Sequence, residues 1–165
     1  LLDPYNYFFN ENTGTYQFTT KNNIVYSVAF IVDDTLNSVS TSSFEIKNVY
    51  QVIIDKVSNE VEPLDPRVYS TVDKLISDFF KNVENAMIYI CSDSDGKELK
   101  RFKTFNRWYN NSLHKEIITK VDNTFKISSD ESTYYTALLF HIDNPNVKYI
   151  LKSFKNIETK LTTDN

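Results

Sequence analysis

Six consecutive apolar residues, Ala86–Cys91 (AMIYIC), run straight into the acidic turn SDSDG and then into the basic, aromatic stretch KELKRFKTFNRWY. A short run with no polar position suits a strand covered on both faces, because a strand with one wet face alternates instead. This segment therefore predicts a central strand that must find packing partners above and below it. Asp95 followed three residues later by Glu98 has the form of a capping box, which starts a helix with Gly96 and Lys97 in its first turn. Asn110 and Asn111 close it.

On that helix Leu99, Phe102, Phe105 or Asn106, and Tyr109 recur at helical spacing with Trp108 beside them, and this stripe should lie on the sheet. The rest of its surface carries Lys97, Lys100, Arg101, Lys103 and Arg107 against Glu98 as the one local acid. Such a cluster is either a solvated face whose lysine stems cover apolar surface or a binding surface. Charge is unevenly placed along the chain. Residues 1–84 carry 6 Lys and Arg against 12 Asp and Glu, residues 85–128 carry 8 against 5, and the remainder 4 against 5. An acidic first half argues against a polyanion wrapping the whole surface and leaves room for a local basic contact through helix 97–109.

The flanking chain supplies the rest of an α+β domain. Tyr5–Phe9, Thr15–Thr20 and Ile24–Val32 predict a meander of three strands, the third with Val28, Phe30 and Val32 on one face and Ala29 and Ile31 on the other, as if buried on both. Asp33–Ser43 (DDTLNSVSTSS) has the composition of a polar loop, and Phe44–Val57 returns to β character as one bent strand or two around Asn48. Asp65–Pro66 is a cap followed by proline at the first helical position, opening an amphipathic helix through Val68, Val72, Leu75, Ile76, Phe79, Phe80 and Val83. After the basic helix, His114–Val121 and Thr124–Ser128 predict a hairpin turning at Asp122–Asn123, and Ser132–Ile142 a further strand. Asn144–Pro145 repeats the cap ahead of a last helix through Ile150, Phe154 and Ile157. The expected architecture is one domain over residues 1–165, with a mainly antiparallel sheet of about six to eight strands and three helices. Its core should include Val72, Leu75, Ile76, Phe79, Ile88, Ile90, Phe102 and Phe105.

Catalytic motifs are scarce. Two glycines, Gly14 and Gly96, cannot build a P-loop or a dinucleotide fingerprint. Asp93 and Asp95 at the strand end form the alternative polar site, where a metal-dependent enzyme would hold its cation, although Asp95 also has a capping role. An EF-hand is excluded by register, since Gly96 at its sixth position would put Cys91 first and Phe102 twelfth. Asp34 with Glu45 and Lys47 echoes the loose acidic-lysine pattern of metal-dependent nucleases, and Cys91 with His114 or His141 offers a nucleophile and a base only if the fold joins them. No metal centre and no cofactor is expected. A single cysteine permits no internal disulfide and fits a reducing compartment. Residues 1–4 carry no signal pattern, and no apolar run approaches the ~20 residues of a membrane span, so a cytoplasmic location without membrane contact is expected. Tyr5, Tyr7, Tyr134 and Tyr135 can finish sheet edges or, with Trp108 and the arginines, anchor a protein interface.

Taken together, DPRVYSTV, IYICSDSDGKELKRFKTFNRWY and FHIDNP resemble a family of small uncharacterised bacterial proteins known as a domain of unknown function. The resemblance extends over nearly the whole chain and implies a recurrent single-domain unit with no established chemistry. The residues themselves point to a non-catalytic, cytoplasmic protein-binding module of adaptor, inhibitor or antitoxin type. Its binding residues would be Lys97, Lys100, Arg101, Lys103, Arg107 and Trp108.

Overall fold

In the computed structural model, which describes residues 2–58, 63–91, 98–126 and 133–163, apolar alternation and cap chemistry produce one seven-stranded sheet with helices on it. The strands are β1 (Tyr7–Asn10), β2 (Thr15–Thr19), β3 (Val25–Val32), β4 (Val49–Lys56), β5 (Ala86–Cys91), β6 (Ile118–Lys126) and β7 (Thr133–His141). The helices are α1 (Thr35–Ser38), α2 (Pro66–Phe79), α3 (Glu98–Asn111) and α4 (Val147–Thr163). Strand order is β1-β2-β3-β4-β5-β7-β6, and every pairing is antiparallel except β4 with β5.

The apolar run Ala86–Cys91 does what its composition demands. Met87 joins a cluster on one face with Phe18, Val28, Val72, Leu75, Ile76, Phe80, Phe105 and Leu139. Ala86 and Ile88 join the other, with Leu36, Val49, Leu138, Phe140, Ile150, Phe154 and Ile157. Thus α2 and α3 cover one face while α4 and α1 cover the opposite face at the β4–β6 end. Of the expected core residues, Val72, Leu75, Ile76, Ile88 and Phe105 are buried, and Phe79, Ile90 and Phe102 are half-buried against the same clusters.

Both predicted caps form. Asp65 accepts from Arg67 N at 3.0 Å ahead of Pro66, and Asn144 accepts from Asn146 N at 2.8 Å ahead of α4. Asp65 is also a tether, since the Tyr5 hydroxyl donates to its Oδ2 at 2.6 Å while the Arg67 guanidinium sits 4.0 Å from the centre of the Tyr5 ring. The amide of Tyr5 donates to Thr71 Oγ1 at 2.8 Å, so the N-terminal segment is fastened to the first turns of α2.

Four expectations change. Asp33–Ser43 is not all loop: Thr35–Ser38 makes one helical turn because Leu36, fully buried, anchors it against α4, where Lys160 Nζ donates to Ser38 O at 2.6 Å. The helix count is therefore four. Asp122–Asn123 does not turn; β6 runs through it, held residue by residue to β7, and neither residue adopts the positive φ that a tight hairpin turn needs. Strand β4 begins only at Val49, because Asn48 adopts a left-handed φ of 59°. Finally, β3 is not buried on both faces. The α4 layer does not extend over the first strands, and Phe8, Ile31 and Ile53 remain exposed on the face away from α2.

Candidate functional site

Helix α3 is seated by aromatic residues. Phe105 stacks on Tyr89 with ring centres 5.0 Å apart and planes 5° from parallel, Phe102 tilts against Tyr135, and Tyr109 donates its hydroxyl to Ile118 O at 2.7 Å. Beneath the helix Lys120, whose side chain is only 4% exposed, pairs with Asp122 and lies within 6.0 Å of the centres of the Phe102, Phe105 and Tyr109 rings. A buried ammonium needs such compensation, and here a carboxylate and three ring faces provide it. This lysine supports α3 from below and is a contact that spacing did not reveal.

The outward side of α3 presents Lys100, Arg101, Lys103 and Arg107, all exposed. Lys100, Lys103 and Arg107 fall on one stripe at spacings of three and four, and among the described residues none of the three has an acidic partner. Three surface lysines on other elements do have acidic partners: Lys47 pairs with Glu45 at 3.0 Å, and Lys74 and Lys81 both pair with Asp78. Trp108 is half-buried between Phe105 and Tyr69, and its buried indole N–H meets no acceptor among the described residues. Tyr69 donates to Trp108 O at 2.8 Å; burial first, and the charge of Asp73 second, push its hydroxyl up to about 12. Near this corner a void of about 10 Å³ lies among Asp73, Trp108, Tyr109 and Ser112, with His114 Nε2 3.9 Å from Asp73.

Lys97, Asp93 and Asp95, and with them the capping box, lie outside the described residues, as does the side chain of Cys91. Of the Asp34, Glu45 and Lys47 set, Glu45 and Lys47 meet at 3.0 Å. Asp34 accepts from Asn37, Glu45 is spent on Lys47, and the described residues hold no group of three potential metal ligands.

A second feature was not foreseen. Between the first three strands and the last turns of α2 lies a cavity of about 210 Å³ lined by Tyr7, Tyr16, Phe30, Leu75, Asp78 and Phe79. Its walls stand nearly at right angles, Tyr7 to Tyr16 at 81° and Tyr16 to Phe30 at 78°. Asp78 accepts from the Tyr7 hydroxyl at 2.5 Å and from both lysines. Burial opposes its ionisation, but these donors outweigh it and hold the carboxyl below the usual carboxylate range. Burial and the same bond push Tyr7 up to about 12.

A model for a family of unknown function, DUF6169, matches residues 64–156, rather more than half the chain. The chain belongs to this family. No curated protein and no solved structure matches it. The DUF6169 segment contains all three quoted stretches but not nearly the whole chain, since β1–β4 lie outside it. It takes in α2, β5, α3, β6, β7 and most of α4, and so the whole basic face of α3. The aromatic cavity is shared: Leu75, Asp78 and Phe79 come from the DUF6169 segment, and Tyr7, Tyr16 and Phe30 from the meander packed on it. No described helix is long and apolar enough to cross a membrane.

Proposed function

We propose that the chain is a non-catalytic, cytoplasmic protein-binding module of bacterial origin, of adaptor, inhibitor or antitoxin type, which docks an acidic protein surface on the outward face of α3. The observation behind this reading is the stripe Lys100, Lys103 and Arg107, exposed in one row on a helix and without acidic partners among the described residues. A rigid helix seated on aromatic side chains and a buried lysine presents these charges in a defined row, which suits recognition of a complementary surface more than diffuse screening. Net −6 over residues 1–84 disfavours a nucleic acid reaching beyond the row. The protein, immobilised and exposed to native lysate with and without nuclease treatment, should in both cases retain a protein partner that Lys103→Glu with Arg107→Glu releases. Capture of nucleic acid alone, lost on nuclease treatment, would replace this reading with a nucleic-acid contact.

A further inference from the structure

The cavity between the meander and α2 has the chemistry of a ligand site. Aromatic faces at nearly right angles offer flat apolar walls on two sides, Phe79 stacks behind Phe30 at 4.4 Å, and Leu75, buried, closes the floor. Its volume of about 210 Å³ is below that of drug-sized pockets and admits one ring with a short arm. Two classes of ligand suit aromatic walls beside a carboxylate: a methylated ammonium held by the ring faces, or a planar aromatic body held by stacking.

The hydrogen bonds at Asp78 choose between them. Its Oδ1 receives Lys74 and Lys81 at 2.6 and 2.7 Å, and its Oδ2 receives Lys74 at 2.6 Å and the Tyr7 hydroxyl at 2.5 Å. That fills the four acceptor positions of a carboxylate, so Asp78 has little to offer an incoming cation. The two ammonium groups are in the opposite condition. Each has three N–H donors; Lys74 uses two and Lys81 one on Asp78, which leaves donors free on two ammonium groups that touch the carboxylate in the cavity wall. One carboxylate against two lysines also gives the cluster around Asp78 a positive excess, which disfavours a quaternary ammonium and favours an anion.

We propose that this cavity binds a small planar aromatic monocarboxylate, its ring against Tyr16, Phe30 and Tyr7 and its carboxylate paired with Lys81 and Lys74. The site is separate from the α3 face, and it requires the meander and the DUF6169 segment to be packed together.

The probe is phenylacetate, titrated by calorimetry and by protein-observed NMR, beside its neutral isostere phenylacetamide and the cation phenyltrimethylammonium. Phenylacetate should bind saturably, shift the Tyr16, Phe30 and Phe79 amides, and exceed phenylacetamide by roughly ten-fold, the value of a charge-assisted contact. Lys81→Gln alters an exposed side chain and should keep the urea midpoint while reducing phenylacetate to the level of the amide. Phe30→Leu should weaken acid and amide together. No saturable binding of phenylacetate, equal affinity for acid and amide, a Lys81→Gln protein that binds as before, or tighter binding of the ammonium would each overturn the proposal.

Discussion

Removing one hydroxyl tests how the N-terminal segment is tied to α2. The Tyr5 Oη donates to Asp65 Oδ2 at 2.6 Å and accepts from Lys21 N at 3.1 Å, while Asp65 Oδ1 caps the helix. Both side chains are shut off from water, at 8% and 7% exposure, but the protein layer over them is thin, so the lower end of the range for a bond to a charged group applies. Tyr5→Phe should then cost about 1.5 kcal/mol. Asp65→Ala loses that bond and the cap, about 2.5 kcal/mol in all. The double variant should also lose about 2.5 kcal/mol instead of the additive 4, because the shared bond is lost only once. With a urea m-value of about 2 kcal/mol/M, Tyr5→Phe moves the midpoint down by ~0.75 M. The bond from Tyr5 is the main reason that the Asp65 carboxyl lies below its ordinary 3.8, so the stabilisation is fully present above that value and is lost as pH falls through the folded one. The deficit of Tyr5→Phe should therefore shrink on acidification below 3.8. An additive cycle, or a deficit unchanged at low pH, refutes the coupling.

Phe105→Ala should cost ~3 to 5 kcal/mol, since it removes a buried ring stacked on Tyr89 and one of the faces around Lys120; an unchanged urea midpoint would show that α3 is not held through this side chain. Tyr7 and Tyr69, both pushed up to about 12, should ionise late in an ultraviolet titration. Their protonated forms contribute stability that is intact below pH 10 and lost as pH rises toward 12, so a loss complete by pH 10 would contradict their burial.

What could be read in the residues, and what could not, follows the range of each interaction. Asp65–Pro66, Asn144–Pro145 and the run Ala86–Cys91 declare themselves locally, because a cap, a proline and an all-apolar strand act within a few positions. The row Lys100, Lys103 and Arg107 was legible for the same reason, a helix repeat being a short-range rule. Asp122–Asn123 misled because turn-forming composition yields to a partner strand, and β7 supplies that partner over nine positions. How far Trp108 is exposed depended on Tyr69, thirty-nine residues earlier, whose ring packs edge-on against the indole. The cavity was out of reach altogether. Tyr7, Tyr16 and Phe30 meet Asp78 only after the meander has its register and α2 has crossed it, and no spacing within a window encodes that meeting.

The pairing of β4 with β5 covers two positions among the described residues, Val49 with Ala86 and Tyr50 with Met87, whereas β3 with β4 covers seven and β6 with β7 nine. A sheet joined so briefly at one line is a pair of plates sharing a short weld. Backbone amides of Ile53–Lys56 on the outer side of that weld lack the protection of a ladder toward β5, and their deuterium uptake should outrun that of β7 even in the fully folded protein. Twist can accumulate differently on the two plates for the same reason, so a load applied to the meander reaches the DUF6169 half chiefly through Tyr5, Arg67 and the packing of α2, and only weakly through the sheet itself.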